Sequence, residues 1–116
     1  MVRIILRHVS GSRAPAVDVI SLGLDQELLL GRVPSAAIRF DPAVETAVAP
    51  RHARIIQATD YEEKFILVDL GSGNGTFLNG EPVHLAVFVR TGDLIQLGSG
   101  GPVLEFRVER EERQPR

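Results

Sequence analysis

The sequence predicts an all-β fold, a two-sheet antiparallel β-sandwich, from three observations. Apolar and polar residues alternate at period two near both ends of the chain. The middle is a series of apolar runs, each only a few residues long. Glycine or proline separates those runs at short intervals. A half-buried strand shows every second side chain to the core, and a sheet of short strands needs a turn residue at each reversal.

At the start, Val2, Ile4 and Leu6 face one way while Arg3 and Arg7 face the other. Near the end, Leu104, Phe106 and Val108 repeat this against Glu105, Arg107 and Glu109. If these two strands pair, the termini lie together. Between them come runs at 17–20, 28–30, 38–40, 55–56, 65–70, 76–78 and 94–97, broken by Gly23, Pro34, Pro42, Pro50, Gly71, Gly80, Gly92 and Gly98. The stretch 51–70 is the longest without Gly or Pro, yet Ile, Val and Phe dominate its apolar positions. It reads as two strands joined by a polar turn at 59–63, not as a helix. The expected core is Leu28, Leu30, Ile55, Ile66, Val68, Phe77, Leu97, Leu104 and Phe106.

The 116 residues, 44% of them hydrophobic, suit one domain at 1–109, followed by a charged tail or linker start at 110–116. The absence of cysteine excludes disulfides, thiolate chemistry and Cys-based zinc sites. No apolar run approaches a membrane span, and the charged, alternating start is unlike a signal peptide, so a cytoplasmic domain is expected. A net charge of −2 with scattered arginines argues against nucleic acid as partner. Nothing implies a cofactor or a metal, and a monomer is expected.

The densest motif is Asp69-Leu-Gly-Ser-Gly-Asn-Gly-Thr-Phe-Leu-Asn-Gly80. Asn79-Gly80 suits a tight hairpin turn. Asn74 lies in a longer glycine-rich loop, where its amide can either serve a turn or hold the N–H and C=O groups of an extended peptide. Gly71, Gly73 and Gly75 let a second backbone approach that loop. It lacks the Gly-Lys-Ser/Thr ending of a nucleotide-binding loop. Gly31-Arg32 ends an apolar run, and its guanidinium is either a solvated rim group or a planar fork for a phosphate. His52 opens another run. Ser72, His52 and Asp69 can be written as a triad, but no nucleophile elbow or acid–base pocket accompanies them, so no enzyme is expected.

Gly31-Arg32, His52, Gly71 to Gly80, Gly92-Asp93 and Ile95-Gln-Leu-Gly98, in this order, resemble the forkhead-associated (FHA) family over roughly residues 2–109. The resemblance implies a sandwich of about eleven short strands whose loops at one end bind phosphothreonine peptides. By it, Arg32 contacts the phosphate and Asn74 the peptide backbone, with Arg51, Ser72 and Gly73 also at the peptide. Gly31, His52, Gly75 and Asn79 shape the loops. The function implied is a phosphothreonine-peptide recognition module mediating protein–protein interaction in bacterial-type signalling, with a phosphorylated protein or peptide as partner.

The sequence departs from the family pattern at the ligand. The Ser three residues before the His, which donates to the phosphate, is Ala49. Pro50 follows, with neither side-chain donor nor N–H. Gly73 stands where Thr or Ser is common, and the segment from Arg32 to His52 is longer than usual. Hydrogen bonds to charged groups contribute about 1.5–3 kcal/mol each, so losing two weakens phosphate binding by roughly a hundredfold or more unless something replaces them. Arg51, Thr46 and Ser72 are the candidates for that replacement. The alternative function is a phosphate-independent interaction or structural domain on the same fold.

Overall fold

A computed structural model of the chain describes residues 2–23, 26–58 and 64–110. Among them are eleven strands and no helix, so none that is long and apolar enough to cross a membrane. The strands are β1 (Val2–Ser10), β2 (Val17–Ser21), β3 (Glu27–Gly31), β4 (Ile38–Arg39), β5 (Arg51–Gln57), β6 (Phe65–Asp69), β7 (Thr76–Leu78), β8 (Glu81–Pro82), β9 (Ala86–Val89), β10 (Leu94–Leu97) and β11 (Val103–Arg110). They form a six-stranded sheet in the order β2-β1-β11-β10-β7-β8 and a five-stranded sheet in the order β4-β3-β5-β6-β9. The turn expected at 59–63 and the tail at 111–116 lie outside the described residues.

The two end strands do pair. β1 runs antiparallel to β11, with Val2 opposite Arg110 and Ser10 opposite Val103. Their arginines and glutamates face each other on the outer side, where Arg7 Nε donates to Glu105 at 2.9 Å and Arg3 is bonded to Glu109. Ile4, Leu6, Leu104 and Phe106 point inward and are fully buried. The second sheet faces them with Leu28, Leu30, Ile38, Ile55, Phe65 and Leu67. The Phe65 and Phe106 rings meet edge to face, 5.8 Å between centroids, across this core.

The structure corrects three details. In β6 the buried side chains are Phe65 and Leu67, while Ile66 and Val68 are only half-buried on the other face. Phe65 to Val68 is apolar throughout, so period two fixes the alternation but not its phase. The outer face is apolar as well, for Ile66 lies between Ile56 and Phe88. In β7, Thr76 is buried and Phe77 is half-exposed. The Thr76 hydroxyl turns inward to donate to Asp69 at 2.6 Å, and that bond sets the strand's phase. Finally, β4 runs parallel to β3, with Gly31 level with Arg39, so the sandwich is not antiparallel throughout.

The inward phase of β6 predicts that Leu67→Ala destabilises the domain by about 2–5 kcal/mol and that Ile66→Ala has a clearly smaller effect. Urea unfolding of the two variants checks this; equal losses would contradict the phase.

Candidate functional site

The end of β3, the start of β5, the end of β6 and the start of β7 meet at one end of the sandwich. The stretch Ala47 to Pro50, which leads into β5, holds them together through its main chain. Pro50 C=O accepts from the N–H groups of both Arg32 (2.9 Å) and Val33 (3.2 Å). This contact is so close that a Cβ at Gly31 would sit 2.2 Å from the Pro50 oxygen. Only glycine fits there.

Two carbonyls further back, on the adjacent residues Val48 and Ala47, hold the two side chains of interest. Arg32 Nε donates to Val48 C=O, and Asn74 Nδ2 donates to Ala47 C=O at 3.1 Å. Ala47 is itself gripped from behind, since a Cβ at Gly98 would lie 2.6 Å from its oxygen. Arg32 is half-buried and Asn74 exposed. Both are therefore fixed at one atom and open at others: the terminal Arg32 amines and the Asn74 side-chain carbonyl have no protein partner among the described residues. Main-chain bonds from Gly98 N–H to Gly75 C=O (2.8 Å) and from Ser99 N–H to Asn74 C=O (3.0 Å) continue the β7–β10 pairing and brace the glycine-rich loop.

His52 is fully buried and clips two loops together. Its Nδ1 accepts from Ala49 N–H at 2.9 Å, and its Nε2–H donates to Gly75 C=O at 2.8 Å. These partners select the neutral Nε2–H tautomer. Burial holds its pKa below the usual histidine value, although the Gly75 bond and the Asp69 charge pull the other way. Asp69 is the second hub. Its Oδ1 accepts from Ser72 and Thr76, each at 2.6 Å, and its Oδ2 from Gly71 N–H at 3.1 Å. Burial alone raises its pKa, but those donors and nearby His52 outweigh it and leave the carboxyl below its usual range.

The remaining predicted residues are spread out. Ser72 gives its proton to Asp69, and neither His52 nitrogen faces it, so Ser72, His52 and Asp69 do not form a nucleophile–base pair. Gly73 is exposed on the loop. Arg51 opposes Gly31 in the ladder, yet its guanidinium runs back toward Glu27 at the other end of β3, 3.9 Å away. Asn79 takes a positive φ of 51° and is bonded to Asp93 and Leu94 N–H, so it fixes the β7–β8 turn. Thr46 is exposed. Sequence reasoning missed the Asp69 hub, which its spacing to two hydroxyls, Ser72 and Thr76, could have flagged. It also missed Arg39, whose Nε donates to Arg32 C=O at 3.2 Å.

The sequence model of the FHA domain matches residues 28–98. The chain belongs to the FHA family. The oxoglutarate dehydrogenase inhibitor of Corynebacterium jeikeium is 41% identical over 76 residues, covering 65% of this chain and 48% of that protein. The glycogen accumulation regulator GarA of Mycobacterium tuberculosis is 40% identical over 76 residues, covering 65% and 43%. The chain thus spans about half the length, or less, of these curated relatives. Among solved structures, an FHA domain from work on phosphothreonine-dependent FHA interactions superposes with a TM-score of 0.74 at 26% identity, covering 94% of this chain and 99% of that one. An FHA domain of Arabidopsis thaliana superposes with a TM-score of 0.80 at 23% identity over 97% and 91%, a likeness of fold alone.

The His52 clip carries a pH dependence. Its pKa is lower folded than unfolded, so the unfolded chain binds more protons just below the ordinary histidine value of 6.5. Stability is therefore full above pH 6.5 and falls as pH drops from there through the folded pKa. Protonation sets an Nδ1–H against the Ala49 N–H. Urea midpoints measured between pH 7.5 and 5 should fall in the wild type, and His52→Asn should remove this part of the slope at the cost of overall stability.

Proposed function

We propose that this FHA domain is a phosphothreonine-peptide recognition module that mediates protein–protein interaction in bacterial-type signalling and carries out no chemistry on its partner. The observation that carries the reading is the placement of Arg32 and Asn74 on the adjacent carbonyls of Val48 and Ala47, each with polar atoms left open. A guanidinium offers a phosphate a planar fork, and an amide offers an extended peptide both a donor and an acceptor. Arg32 takes the phosphate and Asn74 the peptide main chain, with the exposed Gly73 beside them. Gly31, His52, Gly75 and Asn79 keep the loops in place. The names of the relatives, an enzyme inhibitor and a metabolic regulator, and the phosphothreonine-dependent FHA neighbour support a regulatory binding role.

One observation favours a second reading, a phosphate-independent interaction domain. Ala49 has no side-chain donor and spends its N–H on His52, and Pro50 has neither. That corner of the loops offers an anion nothing. Ala49→Ser separates the readings. If the site binds phosphate, the added hydroxyl tightens phosphopeptide binding about five- to thirtyfold, and Arg32→Ala abolishes it in both backgrounds. Calorimetric titration with matched phosphorylated and unphosphorylated peptides reads the outcome. Equal binding of the two peptides, unmoved by Ala49→Ser, would establish the second reading.

A further inference from the structure

We infer that Arg39 is a second anion-contacting residue of this site, replacing the donors that Ala49 and Pro50 lack; the inference rests on the phosphothreonine reading above. A phosphothreonine phosphate presents three terminal oxygens and close to two negative charges, more than one guanidinium fork can satisfy. Residues 49 and 50 supply no free donor. The Ser72 proton is spent on Asp69, and the Arg51 guanidinium lies toward Glu27.

Arg39 is placed where a replacement is needed. The parallel contact of β4 with β3 sets it level with Gly31. Its Nε donates to the carbonyl of Arg32, one residue further on, so the side chain leans toward the loops. Its main chain is held on both sides. Arg13 Nη1 donates to Arg39 C=O at 2.8 Å, and the fully buried Phe40 donates its N–H to Gly31 C=O at 2.8 Å. The residue is exposed, and its terminal amines have no protein partner among the described residues. Arg32 and Arg39 therefore share one arrangement: Nε tied to a main-chain carbonyl, terminal amines open.

The acids on this side are already engaged. Asp18 pairs with Arg13 and His8, the buried Glu45 accepts from Ser12 N–H at 2.6 Å, and Asp41 Oδ1 caps Ala43 N–H at 2.8 Å. Asp41 also borders a shallow hollow with Arg39, Phe40 and Pro42. Arg32 and Arg39 stand against the exposed Asp41 and the buried Glu45, which keep their charge, so it is the open N–H donors of the two guanidiniums that suit an anion here.

The test uses the domain with a pool of phosphothreonine peptides and the same pool dephosphorylated, the strongest binder then being titrated. Arg39→Gln should weaken phosphopeptide binding about ten- to a hundredfold, the loss of one or more charge-assisted hydrogen bonds. Arg39→Lys keeps the charge without the fork and should lose only part of this. Arg107→Gln removes the same charge from the exposed face of β11 and should stay within about twofold at physiological salt. The unfolding midpoint of Arg39→Gln should stay close to the wild type, since Arg13 and Phe40 use main-chain contacts and the lost Nε bond to Arg32 C=O is an exposed one. If Arg39→Gln binds as tightly as the wild type while Arg32→Ala does not bind, the inference falls and the phosphothreonine reading stands. If the wild-type domain does not distinguish the two pools, both fall.

Discussion

The loop end of this sandwich depends on the main chain of four consecutive residues, Ala47 to Pro50. Three of its four carbonyls, those of Ala47, Val48 and Pro50, take Asn74, Arg32 and the paired N–H groups of Arg32 and Val33, while the Ala49 N–H takes His52. Every one of these bonds ignores the identity of the side chain that carries it. That is how the stretch tolerates alanine and proline at positions where the family pattern has polar residues. Proline costs nothing at 50, because the architecture uses its carbonyl and never its N–H. Glycine is demanded elsewhere, at Gly31 and Gly98, where two backbones come within contact of this stretch.

The polar groups beneath the loops form a part-buried network, with His52 and Thr76 inside and Asp69 at its edge, in which the members are matched. His52 bridges two main-chain groups, and Asp69 collects two hydroxyls and an amide. Such a network specifies one geometry only while every member is satisfied. The opposed pKa effects on Asp69 express this balance: the penalty of removing a carboxylate from water is exceeded by the donors arranged around it. The open side chains above therefore stand on a rigid floor, which limits the ordering cost of binding an extended ligand.

Much of this was legible in the sequence, for particular reasons. The strands β1 and β11 show because one face of each meets solvent, so charge alternates with apolar residues. β6 shows as a strand but not its phase, because both of its faces are apolar. β9 was missed because Ala86 to Val89 has no polar residue to mark a face, and β8 because two residues carry no pattern. At the site, Arg32 and Asn74 were visible because their chemistry sits beside glycine, and His52 because it opens an apolar run. Arg39 was not. Its neighbour is a backbone carbonyl brought close by a two-residue parallel contact, and neither leaves a mark in the sequence.

The antiparallel pairing of β1 with β11 fixes where anything joined to the domain must leave it. Ser10 and Val103 lie toward the loops, while Val2 and Arg110 face each other at the opposite end. A surface, a resin or a fused protein attached at either terminus therefore holds the domain by its base. The loops then point away from the point of attachment. Both attachments also emerge side by side, so the domain hangs from one point like a pendant and does not span its neighbours. A tug on both termini pulls across the β1–β11 ladder from one end, opening its hydrogen bonds one after another, and reaches the loops last.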